Sequence, residues 1–305
     1  MGRHLREAAE YILLRSVTGV LNRLSFRRAG AVGEWIGRLG YHPVGIRRDV
    51  VVRHIRAAFP DWPPEEVERV ARAAYGSLGR TTIEAAVISS GRPGEVLDHF
   101  EGADGWEYVE QARAAGRGLI IVTGHLGNWE LGGAYVIARG VPVDAVARHM
   151  ANPHVDGYFT RARERAGARI IHDERAVREV PRAIRDNRAV AMLFDQGAVG
   201  LASTWVKFFG RYAKTPRGPA TFALRLKAPV VFMAAVRQPS GRYRLIMEPI
   251  SSESTGDREA DIDRIVAEYT DALERWVRRY PEQYFWHHRR WKHQRPGTPP
   301  ELGEP

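Results

Sequence analysis

The sequence predicts an α/β fold, a mostly parallel central sheet flanked by helices, preceded by a helical N-terminal region. Three observations lead there. Four short runs, GLIIVT (118–123), VDAVAR (143–148), AVAMLF (189–194) and PVVFMAAV (229–236), are almost continuously apolar, as in strands buried on both faces. Helical stretches at 153–166, 175–186 and 217–227 separate most of them, the alternation that builds parallel sheets. Before about residue 105 no such alternation occurs, and the pattern is helical throughout.

In chain order, residues 1–100 form the helical region. Within it, YILLRSVTGVLNRL (11–24) repeats Leu13, Leu14, Val17, Val20, Leu21 and Leu24 at helical spacing, interrupted by Arg15 and Arg23. Those arginines break the uncharged run that a membrane span needs. A helix over 4–24 therefore suits either a membrane surface or the protein's own core. The segment DWPPEEVERVARAAYGSLGRTTIEAAV (61–87) starts on prolines, carries acids in its first turn and repeats apolar positions for several turns. The strand–helix core spans 101–293, with YRLIMEPI (243–250) as an antiparallel partner strand and a long amphipathic helix at 258–280. Residues 196–217 lack clear periodicity and read as a long loop; residues 294–305, rich in Pro and Gly, read as a loose tail.

Composition narrows the chemistry. A chain of 305 residues, 44% hydrophobic and 27% charged, is globular and long enough for a sizeable core. It has no cysteine, which excludes disulfides, thiolate metal sites and a Cys nucleophile. The net charge of +10 suits an anionic partner: nucleic acid, an acidic protein or an anionic membrane surface. No signal peptide is expected. His149, His154 and the pair His287–His288 have no partners at ligand spacing, so no metal is expected.

The chemistry-bearing stretch is GHLGNWE (124–130), directly after the first strand run. Ligands in open α/β sheets gather beyond the carboxyl ends of the strands. On one continuous helix a five-residue step would set His125 and Glu130 about 140° apart. The two meet if His125 sits in a turn and Glu130 in the first turn of the next helix, which Gly124 and Gly127 permit. A His oriented by a carboxylate is a general base. With no G-x-S-x-G nucleophile motif, the pair suits direct attack by a substrate hydroxyl on an activated acyl group. It equally fits a His capping a strand and a Glu placed favourably at a helix N-terminus. In the loop 196–217, Trp205, Phe208 and Phe209 stand among Lys207, Arg211, Lys214 and Arg217, a mixture that suits a lid touching acyl chains and phosphates. Near the C-terminus, Arg289, Arg290 and Lys292 flank tryptophans 286 and 291; they suit phosphate binding and a solvated charge run equally well.

Taken in order, these segments resemble the bacterial lipid A late acyltransferases, the lauroyl/myristoyl family, over nearly the whole chain. The motif H-x-x-x-x-E corresponds to His125 and Glu130. An Arg followed by Asn-Pro matches Arg148 and Asn152-Pro153, and a helical Arg before the next strand is placed at Arg163, with Arg161 and Arg165 as competitors. A strand ending in Asp matches Asp195 in FDQG, the Phe-Phe-Gly…Gly-Pro-Ala segment matches residues 206–220, and YFWHHRRWK (284–292) is similar to the aromatic-basic C-terminal signature. The resemblance implies a single acyltransferase domain with His125 as general base and Glu130 as its orienting partner. It implies substrate contacts at Arg148, Asn152, Arg163, Asp195, Phe209 and Arg211, and no cofactor. The implied reaction moves a fatty acyl group from an acyl carrier protein thioester to a hydroxyl of a lipid A precursor, at the cytoplasmic face of the inner membrane. Family members often carry an apolar N-terminal transmembrane helix, for which this chain has the Arg-interrupted stretch 11–24. Glycerol phosphate acyltransferases pair their His with Asp, so Glu130 points away from them. Acylation of another glycolipid, such as a phosphatidylinositol mannoside, is the alternative. A nucleic-acid-binding protein is the alternative of another class, disfavoured because the basic residues are spread along the chain and no binding motif is present.

Overall fold

The computed structural model of the chain describes residues 2–88, 93–197 and 200–305, apart from the side chains at 3, 13, 93 and 94. Four helices come first: α1 (Gly2–Leu21), α2 (Phe26–Tyr41), α3 (Arg48–Ala58) and α4 (Pro64–Ile88). The last opens on Pro64 with Glu65 and Glu66 in its first turn, where acids favour the helix dipole. Strands and helices then alternate: β1 (Phe100–Asp104), α5 (Trp106–Ala114), β2 (Leu119–Gly127), α6 (Trp129–Ala138), β3 (Val143–Ala147), α7 (Pro153–Arg165), β4 (Arg169–His172), α8 (Ala176–Arg185) and β5 (Ala189–Leu193). The hairpin β6 (Ser203–Phe208) and β7 (Arg211–Pro216) follows, then α9 (Gly218–Leu226), β8 (Val230–Arg237), β9 (Tyr243–Ile250) and α10 (Arg258–Arg279).

Seven strands form one sheet in the order β1-β9-β8-β2-β5-β3-β4. β8, β2, β5, β3 and β4 run parallel, and β9 joins β8 antiparallel, as the sequence led one to expect. β2 lies centrally, and its alternate residues feed opposite cores. Leu119 and Ile121 pack with α5 and α6, whereas Ile120 and Val122 pack with α8, α9 and α10. Such fully buried aliphatic side chains contribute roughly 1.5–3 kcal/mol each, which is why this strand reads as an unbroken apolar run.

The structure differs from expectation in four places. β1 and β4 are edge strands with the sequences FEGAD and RIIH; an edge needs neither length nor two apolar faces, so no apolar run marks them. The segment expected as a loop, of which residues 198 and 199 lie outside the described residues, contains the β6–β7 hairpin. Thr204, Val206 and Phe208 point inward on a period of two, and Phe209–Gly210 close it with φ of 50° and 74°, the two positive values of a type I′ turn. The tail is not loose where the structure describes it: Arg211 donates to Gly303 O (2.8 Å) and Arg289 grips Glu304. Finally, the stripe on α1 is divided. Leu21 is buried against Ala29 and Ile83, with Val17 and Leu24 partly buried beside them, while Leu5, Ile12 and Val20 face outward. No helix among the described residues is long and apolar enough to cross a membrane.

Candidate active site

β2 continues past the predicted strand end, so His125 lies within the strand rather than in a turn. The parallel register sets Thr123 opposite Leu193 on β5, and two residues further along each chain are His125 and Asp195. Gly124 makes the approach possible, since a Cβ there would lie 3.3 Å from Asp195 Oδ2 and 2.7 Å from Leu273. Asp195, 2% exposed, binds His125 twice. Its Oδ1 lies 2.7 Å from Nδ1 of the ring, and its Oδ2 accepts the His125 backbone N–H at 2.8 Å. A carboxylate only accepts, so the ring proton is on Nδ1 and Nε2 carries the lone pair. The Gln196 amide reaches that nitrogen at 3.2 Å. Burial alone would raise the Asp195 pKa. The His125 charge, the two hydrogen bonds and the nearby Arg290 outweigh it and hold the carboxyl below its ordinary range.

Glu130 occupies the first turn of α6, as predicted, but its carboxylate is turned to another partner. Arg163 on α7 clasps it in a bidentate fork, Nε to Oε2 at 3.0 Å with Nη2 on Oε1. Burial lowers the Arg163 proton affinity, yet the bond to Glu130 more than restores it. The expectation that Glu130 orients His125 is therefore corrected: Asp195 holds the ring. The physical reason is the extended β2, which aims the imidazole along the sheet toward β5, while α6 starts only at Trp129.

His125, Glu130 and Arg163 line one cavity of about 460 Å³ with Arg148, Asp173 and Gln196. Apart from Thr123, the rest of its wall is largely apolar, with Ala134, Ile137, Val143, Phe159, Met192 and Met233 among its residues. Arg148 stands at this wall with Nε on Asp173 Oδ2 (2.8 Å). The cavity thus combines an imidazole, two guanidinium groups and a largely apolar wall at the carboxyl ends of the central strands.

Four expected contacts do not line the cavity. Asp195, expected to touch substrate, spends both carboxylate oxygens on His125. Asn152 caps α7 through Oδ1 and spends its amide on Glu7 O and Glu10 of α1, fastening the N-terminal helix. Phe209 packs on Phe59 and Trp286, with the Arg278 guanidinium over its ring. Arg211 holds Gly303. The lid reading of the hairpin is accordingly withdrawn for these two residues; Gly197 and Leu201, before it, and Pro216, the last residue of β7, do reach the cavity. In the aromatic-basic segment, Trp286 and Trp291 are core residues, and Arg290 is buried with its guanidinium on Lys214 O and Thr215 Oγ1. Sequence reasoning passed over Gln196 and two aromatic neighbours of the imidazole, Trp129 (ring centroids 4.7 Å apart) and Phe285, whose backbone N–H bonds His125 O at 3.0 Å. Gln196 adjoins Asp195 and was detectable once β5 was paired with β2. Phe285 comes from the distant C-terminal segment and carries no local signal.

Residues 3–293 match the family model for bacterial lipid A biosynthesis acyltransferases. Among curated relatives, a lipid A biosynthesis acyltransferase of Haemophilus influenzae is 24% identical over 87% of this chain and 80% of its own. The lipid A biosynthesis lauroyltransferase of Escherichia coli is 26% identical over 88% of this chain and 86% of its own. A phosphatidylinositol mannoside acyltransferase of Mycolicibacterium smegmatis is 26% identical over 72% and 70%. With the match running from the first helix through the aromatic-basic segment, the chain belongs to the bacterial lipid A biosynthesis acyltransferase family.

Proposed function

We propose that the protein transfers a fatty acyl group from an acyl carrier protein thioester to a hydroxyl of a lipid A precursor. The observation that carries this reading is the His125–Asp195 pair beside an apolar cavity whose polar wall holds Arg148 and Arg163. His125 Nε2 takes the proton from the acceptor hydroxyl as its oxygen attacks the thioester carbonyl carbon. Asp195 holds the tautomer and stabilises the imidazolium. The C–S bond then breaks, and the departing thiolate takes the proton from the imidazolium. Arg163, fixed by Glu130, supplies the charge that faces the developing oxyanion or an acceptor phosphate. The backbone N–H of Asn128 is less suited to that task, because it is committed to Ala235 O at 2.8 Å. The thioester is already activated, so the reaction draws on no cofactor.

Membrane attachment is part of the proposal. Leu5, Ile12 and Val20 of α1, Trp35, Ile36 and Leu39 of α2, and Val44 and Ile46 beyond it are all exposed. They include most of the large exposed apolar side chains of the described residues, with exposed Arg15, Arg23, Arg27 and Arg28 in the same region. Apolar insertion flanked by arginines suits the anionic cytoplasmic face of the inner membrane. The +10 balance also suits an acidic carrier protein. The test supplies purified protein with acyl carrier protein thioester and offers lipid A precursor or phosphatidylinositol mannoside, with products read by mass spectrometry. One added acyl group on the lipid A precursor is expected. Acylation of the mannoside alone would reassign the acceptor and leave the His125 chemistry standing.

A further inference from the structure

The turn Gly127–Asn128 joins His125 to Glu130, and α4 grips it from outside the cavity. Thr81 Oγ1 donates to Gly127 O at 3.1 Å. Three residues on, along the same helix face, Glu84 accepts from Asn128 Nδ2 (3.1 Å), Tyr243 OH (2.6 Å) and Arg80 Nη1 (3.3 Å). Glu84 is 1% exposed and does not line the cavity. Asn128 is thereby held at both ends, because its Oδ1 caps α6 by accepting from Leu131 N at 3.0 Å. The backbone on the opposite side cannot yield. Gly127 has φ of 65°, and a Cβ on it would lie 2.0 Å from Ala235 O.

Burying a carboxylate is costly, and an apolar residue of similar volume fills a core with less penalty. What Glu84 holds explains its place: it bonds the residue that starts α6, and α6 carries Glu130 and hence the Arg163 clasp. Arg80, which balances its charge, is anchored in turn by Glu34 of α2 at 2.8 Å, so the acid is braced on the N-terminal helices. We propose that Glu84 is a positioning residue of the active site, acting through Asn128 to fix α6, and with it Glu130, relative to His125. The proposal rests on the acyl-transfer reading for its kinetic test but not for its spectroscopic one.

Three variants of the full chain separate positioning from packing. Glu84→Met keeps the volume and removes the acceptor. Glu84→Gln keeps an acceptor for Asn128. Tyr243→Phe removes a different bond to the same carboxylate. With acyl carrier protein thioester and lipid A precursor as probes, Glu84→Met should lower kcat/KM for the acceptor roughly 10- to 100-fold, the scale of an ångström-sized misplacement, with little change in KM for the donor. Glu84→Gln and Tyr243→Phe should stay within about threefold of the parent on the same argument. Equal kcat/KM for the Met and Gln variants, or an equal loss in Tyr243→Phe, overturns the proposal. Should Glu84→Met fail to fold, Thr81→Val takes its place, leaving Gly127 O unpaired; unchanged kcat/KM there is equally fatal. Absence of acyl transfer by the parent protein would sink the proposed reaction, not the positioning role. NMR of the His125 imidazole and Trp129 indole then decides: both resonances should move in Glu84→Met or Thr81→Val and hold in Tyr243→Phe, and unmoved resonances refute it.

Discussion

Asp195→Asn is the substitution that the geometry makes most informative. The carboxylate accepts two N–H groups, the backbone of His125 on Oδ2 and the ring Nδ1 on Oδ1. A carboxamide has one acceptor oxygen, and the rigid backbone N–H of β2 claims it. The amide NH₂ then faces Nδ1, which must surrender its proton, and the tautomer with hydrogen on Nε2 results. The lone pair points away from the acceptor and the charge that stabilised the imidazolium is gone. The expected loss in kcat is about 10²–10⁴-fold, or roughly 3–5 kcal/mol of transition-state stabilisation. Single-turnover acyl transfer would measure it, with circular dichroism as the control for folding. Acid stability gives a second readout. The Asp195 pKa is depressed in the folded state, so its stabilisation is present above the ordinary carboxylate range and is lost as pH falls through the lowered value. The Asn variant should lack that component of the acid transition. Turnover within threefold of the parent in a folded Asp195→Asn protein would falsify the general-base reading.

Glu130→Gln should behave differently, because its bond is to Arg163: a weakened clasp should raise KM for a phosphorylated acceptor about as much as Arg163→Lys does, roughly tenfold, with a smaller fall in kcat. Equal collapse of kcat in Glu130→Gln and Asp195→Asn would return Glu130 to the base-orienting role. Ala162→Phe, which fills the apolar wall of the cavity, should shift preference toward shorter acyl donors in a competition assay; an unchanged chain-length profile would move the acyl site elsewhere. Trp35→Glu together with Leu39→Glu should weaken flotation with anionic vesicles by at least tenfold at unchanged melting temperature, and full retention would remove α2 from the membrane contact. His54, His287 and His288 are held near a pKa of about 4, chiefly by burial, so the unfolded chain binds more protons between that value and the ordinary one near 6.5. Stability should therefore fall as pH drops through this window. His287→Phe, at a ring whose nitrogens have no hydrogen-bond partner among the described residues, should flatten the slope in urea titrations; an unaltered slope would contradict the assignment.

Much of the architecture was written in local pattern. β2, β3, β5 and β8 are legible because both faces are buried, so nearly every residue must be apolar whatever the surroundings. The helices α4 and α10 are legible because one-sided burial repeats with the helical turn. Of the residues singled out from the sequence, His125, Glu130, Arg148 and Arg163 line one cavity. Pairing was the part beyond reach. Adjacency in sequence suggested that the acid five residues from His125 would hold it. The acid that does so is 70 positions away, set beside His125 by the register of β2 on β5. The same holds for Asn152, Phe209 and Arg211, whose residue types suit substrate binding but whose side chains are spent on α1, the core and the tail. Burial periodicity is a property of a segment and survives in its sequence. Which carboxylate meets which imidazole depends on strand order and on where a strand ends, and only the packed sheet decides both.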